Sequence, residues 1–241
     1  MIEKTQGIVV KTTKFSETSL VIKVFTEVFG MRTYMLRGVR KKKSKTPFNL
    51  FQPLSILEMV VYEKASRDMQ NTKEVKAGYI YSTIPYEIKK SSIVVFLNEL
   101  IYKAVKEEEP NRQLFQFIYH SLVYLDKAED NYQDFHLSFM LHLTRYLGFP
   151  PSNNYQAQQQ IFDLQEGKYT SLNLGDAMSI KEPLSQLFYS LSQNQDYSKR
   201  MSISRKERLL LIDKILLYYQ IHLPGFNEMK SLGVLLEVMA S

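Results

Sequence analysis

The hydrophobic period of this chain changes once, between about residues 80 and 90, and that change limits the folds open to it. Before it, runs rich in Val, Ile, Tyr, Phe and Thr fall at 7–13, 20–26, 31–36, 54–62 and 74–81. Turn chemistry or charge separates most of them: Phe29-Gly30, the stretch from Gly38 onward, and residues 64–71. Leu20, Ile22 and Val24 alternate with Val21, Lys23 and Phe25, so several strands are apolar on both faces. That pattern suits a small closed barrel packed against something else. Five strands in 80 residues match an OB-fold, and an SH3-like barrel has the same count.

Beyond the change the period is helical. Helices are predicted over 91–106, from Pro110 to about Lys127, and after Asn131, where Phe135, Phe139, Leu143 and Leu147 form one slowly drifting stripe. Gly148 and Pro150-Pro151 stop the third helix. Ser204-Arg205-Lys206-Glu207 is a capping box opening a helix to about His222 with an apolar face of Leu209, Ile212, Leu216 and Tyr219. A last short helix is predicted over 228–240. Between them, 152–160 is polar and 161–170 reads as a hairpin turning near Glu166-Gly167. The fold class expected is α+β. An OB-fold-like barrel over 1–82 precedes a mostly helical domain over 83–241 with a short hairpin insertion.

Several function classes drop out. No apolar run approaches the roughly 20 residues of a membrane-spanning helix; the longest is Ile93 to Leu97. The start, Met1-Ile2-Glu3-Lys4, lacks the apolar stretch of a signal peptide, so a cytoplasmic location is expected, with no membrane partner. The chain has no cysteine, which excludes disulfides, thiolate metal sites and cysteine nucleophiles. Its histidines are His120, His136, His142 and His222, in no HExxH-like spacing, so no metal and no cofactor is expected. Nothing resembles a phosphate-binding GxxxxGK[ST] loop. Glu107-Glu108-Glu109 diverge around a helix end, and Ser16, Glu17, Thr18 and Ser19 have no histidine in the first 80 residues to activate them. No catalytic residues are assigned, and the chain is expected not to be an enzyme.

Charge is what the first third has in excess. Residues 1–80 carry 15 Lys+Arg against 7 Asp+Glu, a net +8, whereas 81–241 carry 16 against 18, a net −2. Folding does not require such asymmetry; attracting a polyanion does. The sharpest feature is Arg37-Gly38-Val39-Arg40-Lys41-Lys42-Lys43-Ser44-Lys45, six of whose nine residues are cationic. Like charges this dense repel one another unless an anion is present, and a phosphate backbone supplies one while releasing counterions. Lysines fit non-specific backbone contact, and arginines add bidentate phosphate contacts. Tyr34 alternates with Arg32 and Leu36 on one strand, and Phe15 sits beside Lys14; both rings are candidate stacking platforms for unpaired bases. The DNA-binding candidates are therefore Lys14, Arg32, Tyr34, Arg37, Arg40, Lys41, Lys42, Lys43 and Lys45.

A series of short strings then carries a family resemblance. Gly7-Ile8-Val9-Val10-Lys11 is followed by Ser16-Glu17-Thr18-Ser19-Leu20, Val24-Phe25-Thr26-Glu27, Gly30-Met31-Arg32, Arg37-Gly38-Val39-Arg40 and Leu50-Phe51-Gln52-Pro53-Leu54. Looser pieces follow at Asn98-Glu99-Leu100, Tyr146-Leu147-Gly148-Phe149, Tyr218-Tyr219-Gln220-Ile221-His222-Leu223 and Lys230-Ser231-Leu232. In this order and spacing they resemble the RecO family of bacterial recombination mediators. The resemblance implies an OB-fold and a helical domain, binding of single- and double-stranded DNA, and annealing of complementary strands. It also implies two partners: RecR, with which recombinase is loaded, and the C-terminal tail of single-strand-binding protein (SSB), engaged through the helical domain. Association with the nucleoid follows.

One departure stands out. Many members of the family carry a four-cysteine zinc module just after the Leu-Gly-[Tyr/Phe] element, and 152–170 has no cysteine here, so the hairpin with its polar lead-in is expected to replace that module. Arg145 and the histidines of the third helix are the candidates for the SSB-tail pocket. The rival readings are a protein-interaction adaptor whose basic loop meets an acidic protein tail, and a metal-dependent nuclease. The nuclease would need clustered carboxylates, yet residues 1–80 contain a single aspartate, Asp68.

Overall fold

The computed structural model describes the chain except residues 40–45, 65, 107, 159, 173–174, 198, 200 and 241 and the side chain of Ala240. Cα packing divides it into two compact units, Met1–Lys127 and Ala128–Ser241.

The first unit begins with β1 (Ile2–Lys14), β2 (Leu20–Thr26), β3 (Gly30–Leu36), β4 (Ile56–Tyr62) and β5 (Met69–Ala77), closed into a barrel in the order β1-β2-β3-β5-β4. All neighbours are antiparallel except β3 and β5, which pair in parallel over Thr33↔Met69, Tyr34↔Gln70 and Met35↔Asn71. This is the OB-like barrel that the β-rich first third predicts. The alternation within β2 sends Leu20, Ile22 and Val24 inward to meet Val9, Tyr34, Leu36, Leu57, Met59 and Val61. Fully burying a large apolar side chain contributes about 1.5–3 kcal/mol relative to exposing it, and the barrel interior is filled by such side chains. The last strand lies earlier than the predicted 74–81. Its first residues are held by pairing with β3, some 35 positions upstream, and a contact so distant in sequence leaves no local pattern.

Two helices complete this unit, α1 (Ile88–Ala104) and α2 (Arg112–Lys127). Asn111 Oδ1 accepts the Leu114 N–H at 3.0 Å, an N-cap that fixes where α2 starts. The connection from the barrel is pinned by Asp126, fully buried at the end of α2. Its carboxylate accepts the backbone N–H groups of Ser82, Thr83 and Ile84 at 2.9–3.0 Å and the Tyr79 hydroxyl at 3.1 Å. Burial works against this charge, but the three backbone donors outweigh it and hold the carboxyl near pKa 2. The buried Lys90 ammonium donates to Thr83 Oγ1 at 2.7 Å and pairs with Glu87 at 3.1 Å.

The second unit is organised on α3 (Phe135–Leu147), whose residues from Phe135 to Thr144 are all buried. A helix apolar all round belongs at the centre of a bundle. It packs with α4 (Leu184–Gln193) and α5 (Arg205–His222), and α6 (Leu232–Ala240) closes the unit. Gly148 takes φ +89° and ends α3, a conformation that costs glycine little. The capping box at Ser204 forms as its spacing predicts: Ser204 Oγ accepts the Glu207 N–H and Glu207 Oε2 accepts the Ser204 N–H at 2.8 Å. The hairpin is present as β6 (Ile161–Asp163) and β7 (Lys168–Thr170), and β8 (Ser179–Ile180) adds a third strand to β6. Helix α4 falls outside the predicted elements, although Leu184, Leu187, Phe188 and Leu191 carry helical spacing directly after Pro183.

Candidate nucleic-acid interface

Three chain segments meet at one end of the barrel. The antiparallel register sets Lys14, the last residue of β1, against Leu20, and Leu20 against Leu36, the last residue of β3. Lys14 and the following loop therefore stand level with Arg37. β3 and β5 pair no further than Met35↔Asn71, and beyond that point Lys73 lines one groove together with Leu36 and Arg37. Lys14, Phe15, Arg37 and Lys73 are all exposed, Phe15 at 61%. Among the described residues no carboxylate pairs with Lys14, Arg37 or Lys73. The arrangement offers three separated cations and one solvent-facing ring, the combination that holds a phosphate backbone and stacks an unpaired base.

The other predicted residues divide into three groups. Arg40, Lys41, Lys42, Lys43 and Lys45 lie outside the described residues; Val39 and Thr46 on either side of them are described. Arg32 is half-buried and held by the protein itself. Its Nη1 donates to the carbonyls of Glu108 at 2.7 Å and Met31 at 3.1 Å, and its Nε stands 3.9 Å from Glu63 Oε2. Tyr34 corrects the expectation made for it. Alternation places its ring inside the barrel with no exposed area, and its hydroxyl donates to Glu63 Oε1 at 2.7 Å. Burial and the Glu63 carboxylate both push its pKa upward. A ring with no free face has nothing to offer a base. The cation missed by sequence reasoning follows from pairing: Lys73 is the extra residue of a bulge where Val60 faces Glu74 and Val61 faces Thr72, and no local pattern announces it.

The β2–β3 face, a common oligonucleotide surface of OB-folds, is partly covered by helices here on its β2 side. Phe25 packs on Phe115 of α2 at 6.1 Å between ring centroids. Glu27 pairs with Arg112 at 2.9 Å and accepts from Gln116 at 3.1 Å. On α1, the Tyr102 ring lies under the Lys23 ammonium at 5.6 Å, and its hydroxyl accepts from Lys11 at 3.2 Å.

In the second unit, His136 and His142 are buried on α3, where burial lowers their pKa values to about 3 and about 4; both rings are shut off from solvent and from any peptide tail that arrives through it. Arg145 is exposed, and its Nη2 donates to the Ser192 carbonyl at 2.8 Å. The hairpin region is fixed without cysteine. Asn154 brackets Tyr169, donating to its carbonyl and accepting its N–H, both at 2.9 Å. The Tyr155 ring stacks on Tyr189 at 4.9 Å, and Phe162 packs among Tyr169, Phe188 and Tyr218.

Comparison with known proteins decides the family. The model of the recombination protein O N-terminal domain matches residues 1–81, and that of the recombination protein O C-terminal domain matches residues 85–232. The chain belongs to the RecO family. Among curated DNA repair proteins of the RecO name, it is similar to that of Bacteroides fragilis, 32% identical over 240 residues and 99% of each chain. It is also similar to that of Flavobacterium psychrophilum, 35% identical over 239 residues, covering 98% of this chain and 99% of the other. The Porphyromonas gingivalis protein is 27% identical over 242 residues, 98% of each. This RecO-family chain thus has its place in DNA repair and recombination. No helix among its described residues is long and apolar enough to cross a membrane.

Proposed function

We propose that this RecO-family chain binds single- and double-stranded DNA by its phosphate backbone and anneals complementary strands. With RecR, it helps load recombinase onto DNA coated by SSB. The observation that carries the proposal is the meeting of Lys14, Phe15 and Arg37 at one barrel end, with Arg37 three residues before the basic sequence 40–45. Cations at that end lower the repulsion between two phosphate backbones, so complementary bases meet more often. Contacts of this kind position DNA without reading its sequence. No step in this scheme consumes nucleotide or needs a catalytic group. Recognition of the acidic, apolar SSB tail is assigned to the helical part of the chain, with Arg145 as the remaining candidate cation.

The test is the triple variant Lys41→Glu, Lys42→Glu, Lys43→Glu. We expect it to weaken binding of mixed-sequence oligonucleotides alike and to slow annealing. The slope of log affinity against log salt should fall by about 0.7 for each single-strand phosphate no longer neutralised. An unchanged affinity in a low-salt titration sinks the proposal and favours an acidic protein tail as the partner of these lysines.

A further inference from the structure

The barrel is not sealed all the way along its β3–β5 seam. The two strands pair over only three residues, and β3 ends at Leu36 while β5 runs on to Ala77. Beyond Asn71 the outer edge of β5 has no described strand beside it, and the split opens into a groove of about 590 Å³. Its walls are Leu36, Arg37 and Val39 on one side and Asn71 to Lys76 on the other, with Thr46 at the rim. We propose that this groove is a nucleic-acid backbone site in which Arg37 and Lys73 are the paired phosphate contacts. The strand would follow the β3–β5 split instead of the β2–β3 face.

Three independent observations converge on it. First, part of the usual face is covered by the protein's own helices on its β2 side, through Phe25–Phe115 and Lys23–Tyr102. Second, the wall of the groove is bulged at Lys73, and a bulge re-aims side chains that a regular ladder would alternate. The nearest lysine on the same strand, Lys76, is already committed to Glu58 at 2.9 Å, so Lys73 and Arg37 carry the groove's uncommitted positive charge. Glu74 is the one carboxylate in the lining, and it keeps the site from being a simple anion trap. Third, Val39 and Thr46 both line the groove, and the sequence between these two lining residues is Arg40-Lys41-Lys42-Lys43-Ser44-Lys45. Asn71 and Thr72 add neutral hydrogen-bonding groups suited to phosphate oxygens and sugars.

This site rests on the DNA-binding function proposed above, and the experiment separates the two. Salt-dependent binding of a thymidine oligonucleotide is measured for the full chain, for Arg37→Gln with Lys73→Gln, and for Lys11→Gln with Lys23→Gln. Both double variants remove the same charge. The groove variant should bind roughly tenfold more weakly at low salt, with a slope lower by about 1.4, as two fewer neutralised phosphates require. The control pair on the helix-covered face should keep the wild-type slope. Equal slopes for wild type and groove variant overturn the groove while leaving DNA binding intact, and a wild-type chain that binds no oligonucleotide overturns both. Thermal unfolding of both variants at the wild-type midpoint shows that the comparison is of charge, since Arg37 and Lys73 are exposed. A photo-reactive side chain placed at Thr72 should cross-link the oligonucleotide and one at Val21 should not; the reverse pattern returns the path to the β2–β3 face.

Discussion

The two units each bury titratable groups and hold them in opposite ways. In Met1–Lys127 one buried group is a charge, Asp126, kept ionised by amides of residues 82–84 that point into it. In Ala128–Ser241 the buried groups are the imidazoles of His136 and His142, kept neutral by the apolar length of α3 around them. A carboxylate survives burial only with donors in place, whereas an imidazole sheds its proton and becomes a polar filler. The first unit is therefore fixed between its barrel and its helices by directional bonds and the second by packing. Their surfaces differ as well. Residues 1–127 carry 21 Lys+Arg against 13 Asp+Glu, and residues 128–241 carry 10 against 12. The barrel supplies charge to solvent, and the helical unit supplies volume and aromatic packing.

The largest expected effect breaks the first of these devices. Asp126→Ala leaves three backbone N–H groups without their acceptor and should destabilise the first unit by about 3–5 kcal/mol. Urea denaturation followed by hydrogen exchange should show the loss in the barrel and not in α3. Acidification is next and discriminates between the centres. Each buried imidazole has a folded pKa below its ordinary value, so its contribution is complete above about pH 6.5 and fades as pH falls toward 3 or 4. Asp126, also lowered, keeps its contribution until pH drops below about 4 and loses it toward 2. The second unit should thus weaken by roughly 2 kcal/mol per histidine by pH 5, while the first holds. Exchange rates corrected for their intrinsic pH dependence should show α3–α5 opening first. Simultaneous loss in both units would remove the contrast.

Smaller effects test the details. Asn154→Ala removes both bonds to Tyr169 and should cost about 1–2 kcal/mol, with faster exchange confined to the β6–β7 hairpin. If the hairpin is unaffected, aromatic stacking alone replaces the absent cysteines. Tyr34→Phe removes one hydroxyl bond to Glu63, for about 1 kcal/mol of stability. Its oligonucleotide affinity should equal that of the wild type, because the ring never meets solvent; a drop in affinity would restore Tyr34 as a stacking residue.

What could be read from sequence was local. The strand alternation at 20–26, the stripe from Phe135 to Leu147, the capping box at Ser204 and the hairpin at 161–170 each follow from neighbours within a few residues, and each is present. What could not be read depends on distant pairing. Tyr34 and Arg32 look alike in a strand pattern, yet closure of the barrel turns one ring fully inward and aims the other side chain at Glu108. Lys73 gains its place from a bulge against β4. Arg37 and Lys14 could be named as cations from sequence, but only the shared register of β1, β2 and β3 brings them to one end.

The central claim, that DNA is held by the barrel end of the first unit, is tested most directly by ultraviolet cross-linking of a thymidine oligonucleotide to the full chain, followed by peptide mapping. Cross-linked peptides from residues 14–19, 37–46 and 71–76 are predicted. Cross-links confined to residues 128–241 would contradict the claim.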